Sequence, residues 1–93
     1  MWYVYILQGT GNRFWYVGST NDLERRMIEH RDGQCHSTKA HRPLELVSYI
    51  AVQSEYQARS LEKYFKTGSG KAILKVRILN NEDLAKSAML SEA

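Results

Sequence analysis

The chain has one cysteine, one proline and no long apolar run, and each scarcity narrows what it can be. With Cys35 alone it cannot close an internal disulfide, so the expected setting is a reducing cytosol. No apolar stretch nears the roughly 20 residues of a membrane span and no signal-peptide pattern opens the sequence, so no membrane partner is expected. Low-complexity tracts and internal repeats are missing as well. Neither sign of charge dominates: 13 Lys and Arg stand against 10 Asp and Glu, a net charge of +3 with a pI near 9.1. That balance permits a polyanionic partner without requiring one.

What is present is ordinary in bulk. With 43% hydrophobic and 25% charged residues, 93 positions suit one globular domain with a single modest core. That domain is expected over residues 1–80, with residues 81–93 as a short helical or frayed tail. Six tyrosines and two tryptophans are generous for the length, and aromatic side chains both fill cores and stack on bases.

The most organised stretch is FWYVGSTNDLERRMIEH, Phe14 to His30. Its aromatic and β-branched opening, Phe14 to Val17, reads as a strand broken at Gly18. Asn21 followed three residues later by Glu24 has the pattern of a capping box that opens a helix. At 100° per residue, Leu23, Arg26, Met27 and His30 share about a third of the helix circumference. Arg25 and Glu29 point the other way, at ion-pair spacing. An arginine and a histidine on the inward face need a chemical reason.

Upstream, Trp2 to Leu7 is apolar or aromatic on both faces and predicts a strand buried on both sides. Gly9, Gly11 and Asn12 mark a hairpin turn. Pairing Tyr5 with Tyr16 is the expected register; it puts Tyr3, Leu7 and Phe14 on their face and Trp2, Val4, Ile6, Trp15 and Val17 on the other. Arg31 to Pro43 is polar and predicts an exposed loop, after which Leu44 to Val52 alternates as a third strand. Ser54 and Gln57 form a second capping-box pattern. The helix they open, to about Lys66, has Ala58, Leu61 and Phe65 inward and Glu62 on the edge of the buried stripe. Gly68 and Gly70 are expected to end it, and Lys71 to Leu79 reads equally as helix or as basic extension. The order predicts an α+β fold, a small three-stranded antiparallel sheet flanked by helices.

Taken together, these residues resemble the GIY-YIG nucleases. Tyr3-Val4-Tyr5 is similar to the first signature, with its final tyrosine kept and its opening glycine replaced; Tyr16-Val17-Gly18 is similar to the second, with valine for isoleucine. Arg26, eight residues past Gly18, stands where the family carries its helix arginine, and His30 where many members carry a histidine. Glu62 stands where the family has its metal-binding glutamate. The resemblance covers roughly residues 2 to 70, in the manner of the small stand-alone members; the family's distal asparagine has no assigned counterpart here.

The resemblance implies a divalent-metal-dependent endonuclease that hydrolyses DNA phosphodiester bonds, structure-directed or weakly sequence-specific, on branched, nicked or single-stranded DNA. Mg²⁺ or Mn²⁺ would be its only cofactor, held by Glu62, since a hard cation that keeps several waters can be served by one carboxylate and a substrate phosphate. Arg26 would grip the scissile phosphate, Tyr5 would act as general base with Tyr16 beside it, and His30 would assist. Lys39, Arg42, Lys63, Lys66, Lys71 and Lys75 would track the nucleic-acid backbone.

Each residue also has a plainer reading. Glu62 is spaced to pair with Lys66, the tyrosines suit a strand core, Arg26 can snorkel, and surface lysines keep any small protein soluble. His30, Cys35, His36 and His41 have zinc-binding chemistry but match no closed-site spacing. A nuclease requires Tyr5, Tyr16, Arg26, His30 and Glu62 to converge on one concave site, with Arg26 and Glu62 within roughly 10 Å on the same side of the sheet. The alternative is a nucleic-acid-binding module of the same fold without catalysis.

Overall fold

The computed structural model describes residues 1–76. Within them the chain runs β1 (Trp2–Gly9), β2 (Trp15–Thr20), α1 (Leu23–Arg31), α2 (His36–Lys39), β3 (Leu44–Val52), α3 (Glu55–Phe65) and α4 (Gly68–Leu74). This is the expected α+β arrangement, a three-stranded antiparallel sheet flanked by helices. The expected tail at 81–93 and the last residues of the expected 1–80 domain lie outside the described residues.

The strand order is β2-β1-β3, so β1 is central, and its apolar residues on both faces follow from that position. Val4, Tyr5, Ile6 and Leu7 are all buried. Alternation sends Val4 and Ile6 to one face, where they form the core with Val17, Ala58, Phe65 and Leu74 under α3 and α4. Tyr5 points to the other face, toward α1. The hairpin register differs from the expected one by two residues: Tyr5 pairs with Gly18 and Leu7 with Tyr16. An even shift preserves every residue's face, which is why the division of side chains was right although the partners were not.

Three local expectations are corrected. The cap of α1 is Asp22, not Asn21: its carboxylate accepts from the Arg25 backbone N–H at 3.0 Å, and a full negative charge suits the positive end of the helix. The segment after α1 is not simply a loop, since α2 forms one turn and buries Thr38 completely. Gly68 and Gly70 do not end α3, which stops at Phe65 as foreseen to within a residue; they open α4, whose cap is Thr67. The second capping box, Ser54 with Gln57, is formed in full.

Gly70 shows why α4 starts with small residues. A Cβ there would overlap the Tyr64 carbonyl and lie 2.7 Å from the Phe65 Cα, backbone atoms that cannot swing aside. Gly68 has open space around it. Gly70→Ala should therefore cost about 1–3 kcal/mol in a urea unfolding titration, as overpacking does. Gly68→Ala should be neutral or gain up to about 1 kcal/mol, because alanine loses less entropy in a helix.

Candidate active site

His30, in the last turn of α1, is 1% exposed, and a buried imidazole needs a partner on each nitrogen. Tyr5 Oη lies 2.9 Å from Nε2, and Thr38 Oγ1 lies 2.8 Å from Nδ1. The Thr38 hydroxyl donates its own proton to the Cys35 carbonyl at 3.4 Å, so toward His30 it accepts. Nδ1 therefore carries the hydrogen, and Nε2 offers a lone pair to the Tyr5 hydroxyl. Arg26 Nε donates to the remaining side of Tyr5 Oη at 3.2 Å. Every donor in this chain points the same way, from Arg26 through Tyr5, His30 and Thr38 to the Cys35 carbonyl.

The electrostatics agree with a neutral histidine. Burial, and then the charge of Arg26, push the His30 pKa down from its ordinary value, with Glu29 pulling weakly the other way. Burial pushes the Tyr5 pKa up to about 12 despite the Arg26 bond, with Tyr16 adding to the rise. The Arg26 guanidinium is held more firmly protonated than usual by Glu29, which accepts from it at 3.0 Å. Glu29 also lies 4.0 Å from Arg25, the pairing expected from spacing. Tyr16 is half-buried, its ring edge-on to His30 at 5.4 Å between centroids. Gly18 closes the group: a Cβ there would run into the Tyr5 hydroxyl and stand 2.9 Å from Tyr16 Cε2.

Tyr5, Tyr16, Arg26 and His30 thus form one contacting group. Glu62 does not share their face. Its helix, α3, covers the side of Val4, Ile6 and Val17, and Glu62 Oε1 accepts from Ser19 Oγ at 2.6 Å on that side. The expectation that Arg26 and Glu62 lie on one side of the sheet is corrected. The reason is that β2 is an edge strand, so a helix on either face can reach its border. Gly18 beside the Tyr5 hydroxyl and Ser19 beside Glu62 are chain neighbours, which holds the two oxygens within about 13 Å of each other.

The other Glu62 oxygen accepts from Lys66 at 2.7 Å, the pairing its spacing foretold. Burial opposes ionisation of Glu62, but the bonds from Lys66 and Ser19 and the charges of Lys66 and Arg59 hold its carboxyl below the ordinary range. It is an ionised, half-buried oxygen ligand already holding one cation, the Lys66 ammonium. That chemistry fits a hard divalent ion completed by water and phosphate. Among the described residues no three His, Cys, Asp or Glu side chains gather to hold a metal, and His41 instead stacks on Phe14 at 3.7 Å.

The expected phosphate contacts divide. Lys39 and Arg42 line a depression with Arg31, but Arg42 is committed to backbone, donating to the carbonyls of Lys39 at 3.1 Å and Arg31 at 3.3 Å. Lys63 is exposed on α3, Lys66 holds Glu62, and Lys71 lines a groove with Trp15. Sequence reasoning missed Thr38 and Ser19. Nothing local marks them; both owe their roles to partners 8 and 43 residues away.

The family model described as the GIY-YIG catalytic domain matches residues 1–75. The UPF0213 protein YazA of Bacillus subtilis is 37% identical over 65 residues, covering 69% of this chain and 65% of the relative. A UPF0213 protein of Bacillus pumilus is 34% identical over 70 residues, 74% of this chain and 70% of its own, and one of Cupriavidus pinatubonensis 34% over 62, 66% and 68%. No solved structure matches.

Two measurements check the histidine. Its folded pKa lies below the unfolded value near 6.5, so the unfolded chain binds the proton more tightly. Its contribution to stability is complete above about pH 6.5 and is lost as pH falls toward the folded pKa. Urea midpoints should drop across that window in the parent and stay flatter in His30→Gln. Thr38→Val keeps the volume but strands the Nδ1 hydrogen, at a cost of about 1–3 kcal/mol. Imidazole ¹⁵N shifts should report the Nδ1–H tautomer in the parent and a loss of that preference in Thr38→Val.

Proposed function

Because this chain belongs to the GIY-YIG family, we propose that it is a divalent-metal-dependent endonuclease that hydrolyses DNA phosphodiester bonds, structure-directed or weakly sequence-specific. The observation that carries the reading is the directed hydrogen-bond chain Arg26–Tyr5–His30–Thr38 at the border of β2, with Glu62 at the same border.

Magnitudes decide how the proton would move. With a pKa of about 12, a free tyrosinate at pH 7 would cost about 7 kcal/mol. Passing the Tyr5 proton to His30 Nε2 as Tyr5 takes one from the attacking water avoids that species, and His30 is neutral and ready to accept. Tyr5 is fully buried, so the hydroxyl must first be opened. Arg26, part-exposed, does this when it leaves Tyr5 and Glu29 to place its planar fork on the phosphate. Thr38 keeps the imidazole turned so that Nε2 meets Tyr5. A divalent cation on Glu62 would neutralise charge building on the phosphate and leaving oxygen. Lys66, released from Glu62, joins Lys39, Lys63 and Lys71 as backbone contacts that add affinity without sequence choice.

Two observations favour the second reading, a binding module without catalysis: Glu62 lies on the face of the sheet opposite Arg26, against the one-sided site expected of a nuclease, and it is already neutralised by Lys66. Nicking of supercoiled plasmid separates the two. The parent should nick with Mg²⁺ or Mn²⁺ and stop with EDTA, and Glu62→Ala should abolish nicking while leaving DNA affinity nearly unchanged. A parent that binds DNA but never nicks it establishes the binding module. Within the enzyme reading, Tyr5→Phe should lower the rate by roughly 10² to 10⁴, the worth of a positioned base, and Tyr16→Phe by less. If Tyr16→Phe is the more damaging, the proton leaves through the half-buried Tyr16 hydroxyl and the relay assignment is wrong.

A further inference from the structure

Two depressions on the α3–α4 side of the molecule share Trp15 and Lys71 as walls. One, of about 280 Å³, runs along β2 past Lys66; the other, of about 860 Å³, lies between the hairpin turn and α4 and is lined by Arg13, Lys71 and Lys75. Among the described residues no aspartate or glutamate lines either. Lys66 is paired with Glu62, but in a chain whose net charge is only +3, three further cations (Arg13, Lys71 and Lys75) along one groove are a local excess rather than the average surface. Lys71 and Lys75 are four residues apart at the end of α4, hence on one side of it, and Arg13 faces them from the hairpin.

The wall between them is aromatic. Trp15 packs against the core, yet remains only half-buried and lines both depressions. Phosphates alone would be served by the cations. An aromatic ring among them suits a ligand that presents flat apolar faces as well as charge, and a strand with unstacked bases does so. A duplex keeps its base faces inside the stack, out of reach of Trp15. The groove is also continuous with the candidate active site, since Lys66 forms its wall and binds Glu62 at 2.7 Å.

The geometry points to this groove as a binding site for a single-stranded segment of nucleic acid, with Trp15 as stacking platform and Arg13, Lys71 and Lys75 as phosphate contacts. It rests on the proposed nucleic-acid substrate, not on cleavage. An unpaired strand held there would lead directly to Glu62, so a junction between duplex and single strand would be centred on the β2 border.

The test is binding by the full chain in EDTA, where no cleavage occurs, to a labelled oligothymidylate and to a duplex of equal length. The parent should prefer the single strand, which should quench tryptophan emission; Trp15→Phe should keep most affinity and lose the quench. The triple variant Arg13→Ala/Lys71→Ala/Lys75→Ala should weaken single-strand binding by tenfold or more. Its salt slope should flatten by about 2, at about 0.7 per lost phosphate contact. Unchanged binding by the triple variant, or a quench that survives in Trp15→Phe, overturns the groove alone. Equal affinity for duplex and single strand overturns the single-strand assignment. A parent that binds neither oligonucleotide overturns both the groove and the proposed substrate class.

Discussion

A histidine sealed from water must have both ring nitrogens satisfied, and the candidate site is organised around that requirement. His30 meets it with Tyr5 from the central strand and Thr38 from α2. Leaving either nitrogen bare would cost about 1–3 kcal/mol, a large share of the margin by which a small domain stays folded. So one side chain ties β1, α1 and α2 together and explains why a single turn of helix forms in an otherwise polar connection. Among the described residues no buried side-chain nitrogen or oxygen lacks a partner.

Around this neutral centre the charges are stored in pairs. Arg26 rests on Glu29 and Glu62 on Lys66, both at the rim and both partly exposed. Pairs of that kind are worth about 0–1 kcal/mol, so they are readily exchanged. On the proposed reading a phosphate takes Arg26 and a divalent cation takes Glu62. Each exchange replaces one opposite charge with another and leaves the Tyr5–His30–Thr38 bonds in place. The protein can thus hold a cation-binding carboxylate and a phosphate-binding arginine in the resting state without an uncompensated charge near the core.

The edge strand makes the arrangement geometrically possible. Because β2 has a neighbour on one side only, α3 packs across it from one face while the Tyr5 hydroxyl, held by Arg26 and His30 of α1, reaches it from the other, and consecutive residues serve them. Gly18 leaves room for the Tyr5 hydroxyl and Ser19 holds Glu62. The same border carries the basic groove past Trp15. A central strand, flanked on both sides, could offer neither.

Most of the local interactions were determined by the amino-acid sequence unaided, the α1 cap being off by one residue. The third strand, the Ser54–Gln57 box, the two-sided burial of β1 and the inward placing of Arg26 and His30 all depend on residues within a few positions, where periodicity and capping act. The ordered set Tyr5, Tyr16, Gly18, Arg26, His30 and Glu62 was legible only through its resemblance to the GIY-YIG signatures, since each residue by itself also suits a plainer structural role. Tertiary structure alone decided the rest. The hairpin register slid by two because faces constrain it only to even steps. The glycines after α3 began a helix because Gly70 had to pass close to the backbone at Tyr64 and Phe65. Thr38 and Ser19 gained their roles from partners far along the chain, and Glu62 approached from the opposite face. Which atoms meet across tens of residues is set by how the sheet packs on its helices, and no spacing in the sequence encodes it.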